Sequence, residues 1–141
     1  IKMFSLVLEL IYLLGKDSKK QLYHNKLTSG NYEITENAKK YIKENLTSDL
    51  SLNAVASYVS LSPIHFHNCF KAATGRTLHE YVEEQRIKKA AGLLVSTDAT
   101  LTEISYECGF SSQSYFSYAF KRKMKMTPRE YAKEIYRRYD A

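Results

Sequence analysis

Eight basic side chains fall between Gln113 and Arg138: Lys121, Arg122, Lys123, Lys125, Arg129, Lys133, Arg137 and Arg138, opposed only by Glu130 and Glu134. That segment carries +6, which is the net charge of the whole 141-residue chain, so the remainder sums to zero. Charge gathered in one segment favours a polyanionic partner, although a solvated helix face is the plainer reading of any one such residue. Other chemistry is weakly represented. His65 and His67 are two apart on a helix and point apart, and His24 and His79 are distant, so no metal site is expected. There is no glycine-rich phosphate loop, no carboxylate pair in an apolar setting and no serine, histidine and aspartate order that suggests catalysis, and no cofactor is expected. Glu83, Glu84 and Asp98 read as solvated surface. Cys69 and Cys108 sit among apolar helical positions, where free cysteine behaves as a small hydrophobe. They fit a reducing cytoplasm and suggest neither a disulfide nor zinc.

The elements that must position the basic segment are written twice. Residues 51–81 are echoed by 100–131, at an offset of 49 up to a turn (Leu52 with Leu101, Val55 with Ile104, Ser62 with Ser111) and 50 beyond it. Beyond the turn Phe66 pairs with Phe116, Phe70 with Phe120, Lys71 with Lys121, Thr77 with Thr127 and Tyr81 with Tyr131. Two copies are too few for a solenoid, which needs about three to bury its faces. They read as two equivalent units meeting two equivalent sites on one partner.

Ile1 to Leu14 carries a broad apolar stripe for one helix, which needs a partner, either the rest of a longer protein or a second copy of this chain. The run from Phe4 to Leu14 is interrupted by Ser5 and Glu9 and is too short to span a bilayer. The chain begins at Ile1, which reads as a fragment. Residues 15–30 are polar and read as a linker, so the expected division is 1–30, a terminal helix and linker, and 31–141, one all-α domain of about seven helices. Thr35 is expected to cap a helix ending by Leu46, and Ser51 a short one, followed by a turn at residues 60–62. Pro63 opens the next helix and Gly75 closes it. Thr77 caps a long linking helix over 77–96. The second unit spans about 100–124, and Thr127-Pro128-Arg129-Glu130 is a capping box opening a last helix over 127–139.

Each unit, about 51–74 and 100–124, is a short helix, a tight turn and a second helix with two phenylalanines four apart on its inner face. That is a helix-turn-helix, whose second helix enters the major groove of DNA. With Phe66 and Phe70 inward, Ile64, His67, Asn68 and Lys71 face outward; in the second unit Gln113, Ser114, Ser117, Tyr118 and Lys121 do so. Asn68 and Gln113 suit adenine, His67 can donate to guanine and Ile64 can touch a thymine methyl, while Ser114 and Ser117 discriminate poorly. Phosphate anchoring is expected from the helix starts at Ser62, Ser112 and Thr127 and from Lys71, Lys121, Lys123, Lys125 and Arg129.

Residues 34–138 resemble the C-terminal DNA-binding domain of the AraC/XylS family of bacterial transcription regulators. The resemblance is carried by Leu61-Ser62-Pro63 through Phe70-Lys71, Thr74-Gly75, Glu80-Tyr81, Arg86 with Ala90, Ile104 through Gly109-Phe110-Ser111-Ser112-Gln113-Ser114-Tyr115-Phe116 to Phe120-Lys121, and Thr127 to Tyr131. It implies seven helices in two homeodomain-like helix-turn-helix units with a linking helix, following a sensing or dimerising domain. The family's base-reading positions map onto Ile64, His67 and Asn68. Asn68 and Tyr118 stand where relatives often have arginine, so Tyr118 is expected to pack on sugar or phosphate. Arg86 matches the family's linking-helix arginine, with an internal and a phosphate role both open.

The expectation is a cytoplasmic bacterial transcription regulator, most often an activator in that family, that binds double-stranded DNA and presents a surface to RNA polymerase. A homodimer would form through the absent N-terminal portion and residues 1–14. The rival reading is a helical interaction module whose basic face meets an acidic protein.

Overall fold

A computed structural model describes residues 29–141. The terminal helix and most of the linker expected before them lie outside the described residues. Among the described residues there are seven helices and no strand: α1 (29–44), α2 (Leu52–Tyr58), α3 (Pro63–Thr74), α4 (Leu78–Ser96), α5 (Leu101–Glu107), α6 (Gln113–Met124) and α7 (Pro128–Tyr139). Thr35 is not the cap of α1. It lies inside the helix, is buried, and its hydroxyl donates to the Asn31 carbonyl at 2.8 Å. A threonine can satisfy its hydroxyl on the preceding turn without ending the helix, so a polar residue ahead of an apolar run did not mark the start. Gly30, expected in the linker, is helical as well, and the helix ends at 44, two residues before Leu46.

The other boundaries follow from local chemistry. Ser51, Ser62 and Ser112 accept from the backbone N–H three residues on, and Thr77, Thr100 and Thr127 form capping boxes with Glu80, Glu103 and Glu130. The cap of α6 is Ser112, so the structural counterpart of Ser62 is Ser112 and the extra residue of the second turn is Ser111. Each unit has two left-handed positions with glycine at only one. The turn takes Ser60 (φ 59°) in the first and Gly109 (φ 90°) in the second; the helix end takes Gly75 (φ 71°) and Lys125 (φ 63°).

Two cores lie along α4. Leu78, Tyr81 and Val82 at its start join Ile42, Val55, Phe66 and Phe70; Ile87, Ala90 and Leu94 further on join Ile104, Cys108, Phe110, Phe116 and Phe120. The sequence repeat is also a repeat of ring geometry. Phe70 meets Tyr81 edge-on at 5.4 Å and Phe120 meets Tyr131 edge-on at 5.5 Å. One helix therefore serves as a wall of both cores, and the two units cannot turn about α4 without opening one of them.

A single joint ties the first unit to the turn of the second. Arg86 Nε donates to the Leu46 carbonyl at 3.0 Å. A Cβ on Gly109 would lie 2.0 Å from that carbonyl oxygen and 2.9 Å from Arg86 Nε. Arg86 is thus an internal strut, and burial depresses its pKa. Two stability outcomes follow. Gly109→Ala should cost at least about 2 kcal/mol, since it adds strain at positive φ to a backbone clash; an unchanged thermal midpoint would contradict the joint. Phe116→Ala should cost about 3–5 kcal/mol by chemical denaturation, because its fully buried ring leaves a cavity.

Candidate nucleic-acid interface

On α3, Ile64 is 76% exposed, Asn68 and Lys71 are exposed, and His67 is half-buried at the edge of a cleft of about 470 Å³ that also takes in Asp49, His79 and Arg86. On α6, Gln113, Ser114 and Lys121 are exposed, Ser117 is half-buried and Tyr118 is 60% exposed. Both second helices thus turn a polar strip outward while the paired phenylalanines hold the opposite side. Gln113 is not a free amide. The Thr102 hydroxyl of α5 donates to its Oε1 at 2.6 Å.

The helix starts differ as anion sites. The hydroxyls of Ser62, Ser112 and Thr127 are all engaged as caps. Proline occupies the first position of α3 and of α7 and removes one amide donor from each. Thr127 also gives its own N–H to the Glu130 carboxylate at 3.0 Å, which sets a negative charge where a phosphate would approach. The start of α6 keeps the Gln113 and Ser114 amides, which have no partner within the helix.

Glu83 and Glu84, expected as solvated surface, are instead the hub between α4 and α6. Their side chains are only 14% and 13% exposed. Glu83 accepts from the Tyr115 hydroxyl at 2.6 Å and from the Arg122 guanidinium, with His79 at 3.9 Å. Glu84 pairs with Arg76, with Lys88 at 3.6 Å and with Lys123 at 3.8 Å. Lys123, expected among the phosphate-binding lysines, thus lies beside an α4 carboxylate with about half of its side chain, 49%, still exposed. Arg122 also lies 5.3 Å over the Tyr118 ring, so this ring is fixed from behind. The signal was present in the repeat: Arg122 and Lys123 replace Ala72 and Ala73 of the first unit, where no such clamp exists. Asp98 is exposed as expected.

These pairs reduce the basic segment to fewer outward charges than its count suggests. Arg137 and Arg138 pair with Glu134 at 3.0 and 3.1 Å. Lys121, Lys125, Arg129 and Lys133 are exposed and have no carboxylate partner among the described residues. Among the described residues no group of three or more histidine, cysteine, aspartate or glutamate side chains could hold a metal, and no helix is long and apolar enough to cross a membrane. Cys69 and Cys108 are free and buried, and burial pushes the Cys108 thiol up to about 11.

Burial alone would raise the Glu83 pKa, but the hydrogen bonds from Tyr115 and Arg122 outweigh it and hold the carboxyl below its usual range. A carboxylate depressed in the folded state stabilises it above the unfolded pKa, and that stability is lost as pH falls through the folded value. Glu83→Gln should therefore cost about 1–3 kcal/mol near neutral pH. Melting curves of the two proteins should converge as the pH is lowered below the ordinary carboxylate range; a gap independent of pH would remove the ionised clamp.

Comparison with known proteins agrees with this architecture. The family model described as a helix-turn-helix domain matches residues 55–134. The chain is 35% identical over 130 residues to the regulatory protein PocR of Salmonella typhimurium, covering 90% of this chain and 43% of that protein. It is 31% identical over 125 residues to the transcriptional activator RhaS of Escherichia coli, covering 89% of this chain and again 43% of the relative. It spans less than half the length of these relatives. The crystal structure of an AraC-type transcriptional regulator from Chromobacterium violaceum superposes with a TM-score of 0.70 at 29% identity, over 75% of this chain and 95% of that one. This is a family of DNA-binding regulators and not of enzymes. With two helix-turn-helix units on one shared helix and a match over most of the described residues, the chain belongs to the AraC/XylS family of transcription regulators.

Proposed function

We propose that this chain is the DNA-binding portion of a bacterial transcription activator that lays α3 and α6 in successive major grooves of one duplex. The observation that carries the reading is that both units share α4 as a core wall. With 19 residues α4 is about 28 Å long, close to the roughly 34 Å after which a groove returns on the same face of DNA. One chain then meets an asymmetric site of roughly 17–20 base pairs with no need of a dimer. Phosphate contacts set the register and the outward strips supply selectivity. A helical module binding an acidic protein would give no reason for two matched faces at this separation.

The roles divide by chemistry. Ile64, His67 and Asn68 read one groove and Gln113, Ser114 and Ser117 the next, where Tyr118, outward beside them, packs on sugar or phosphate at the edge of the bases. Lys71, Lys121, Lys125 and Arg129 neutralise phosphates, helped by the open amides of α6. The activator role is supported by the likeness to RhaS, named as an activator. Work in a bacterial cytoplasm, a surface for RNA polymerase and dimerisation through a portion preceding these residues belong to the same proposal.

Gel shifts on duplex DNA across a salt series test it. Lys121→Ala should weaken binding to all sequences and flatten the slope of log affinity against log salt by about one unit. Arg137→Ala, already paired with Glu134, should leave the slope nearly unchanged. Asn68→Ala should relax base preference at one position of the first half-site only; an unaltered preferred sequence would remove Asn68 from the reading set.

A further inference from the structure

A hydroxyl on α5 holds one end of the first side chain of α6. Thr102 Oγ1 donates to Gln113 Oε1 at 2.6 Å, and Gln113 is exposed at the first position of the helix. A carboxamide has two unlike ends, an acceptor oxygen and a donor NH2. Reading adenine through N6 and N7 needs both ends laid along one base edge. With the oxygen drawn back to α5, the end left for a base is the NH2, which can only donate. Guanine presents two acceptors in the major groove, N7 and O6, and thymine presents O4, whereas adenine's one acceptor, N7, sits beside an N6 donor that the drawn-back oxygen no longer meets.

We infer that Thr102 is a specificity-determining residue: it fixes Gln113 as a donor, so that the base met by Gln113 is guanine or thymine and not the adenine expected from residue type alone. The inference rests on the proposed entry of α6 into a major groove. The matching positions of the first unit are Asn53 and Pro63, and a proline ring has no polar group to hold. The device therefore belongs to the second unit alone, and the two half-sites are read by different means.

Selection of bound duplexes from a random pool by the 141-residue chain, repeated with Thr102→Val, Thr102→Ser and Gln113→Ala, tests this. Gln113→Ala identifies the base position by levelling its preference. There the unaltered chain should favour guanine or thymine. Thr102→Val should move the preference towards adenine by about two- to tenfold, the worth of one neutral hydrogen bond. Thr102→Ser, which keeps the hydroxyl, should retain the original preference. Adenine favoured by the unaltered chain, an identical preference in Thr102→Val, or no position levelled by Gln113→Ala overturns the inference while leaving groove binding intact. If the chain retains no duplex at any salt, the underlying reading fails with it.

Discussion

The arrangement of the two units depends on the place where Arg86, Leu46 and Gly109 meet. Three segments far apart in the sequence close there: the end of α1, the middle of α4 and the turn between α5 and α6. The arginine satisfies the Leu46 carbonyl in the turn that follows α1, and the bare Cα of Gly109 lets the second turn come within reach of it. A polar bond of this kind is modest in net energy, yet leaving its buried partners unmatched is costly. Its position is what gives it weight. The shared wall of α4 prevents the units from hinging along its length, and the joint prevents them from twisting about it.

The same scaffold carries different chemistry in its two halves. The edge-on contacts of phenylalanine with tyrosine match closely and the paired phenylalanines share a spacing, though not a tilt, so α3 and α6 pack in much the same way. Around that core the first unit has Ala72 and Ala73 where the second has Arg122 and Lys123 facing Glu83 and Glu84. The consequence is electrostatic. Much of the positive charge that distinguishes the second half is matched internally, and a smaller outward set is left to meet an anion. Screening by salt acts mainly on that exposed set and far less on the partly buried clamp.

Most of the helical plan was legible because capping residues, glycine ends and the pairs of phenylalanines four apart all act locally. Ser51, Ser62, Thr77 and Thr127 mark their helices in the chain as they do in space. The start of α1 was not legible, because Thr35 bonds back onto its own helix and so imitates a cap. Glu83 and Glu84 were misjudged because their partners Tyr115, Arg122 and Lys123 lie 32 or more residues away along the chain, and a carboxylate shows its burial only in the assembled fold. The outward strips were predictable from helical periodicity. The tie between Thr102 and Gln113 was not, since it depends on the angle between two helices.

The distance between the outward faces of α3 and α6 tests the rigid pairing most directly. Spin labels at Ile64→Cys and Ser114→Cys, matched positions on the two helices, are selective because Cys69 and Cys108 are buried. Pulsed dipolar spectroscopy of the free chain should give one narrow distance. A broad or bimodal distribution would contradict a preset pair of reading helices.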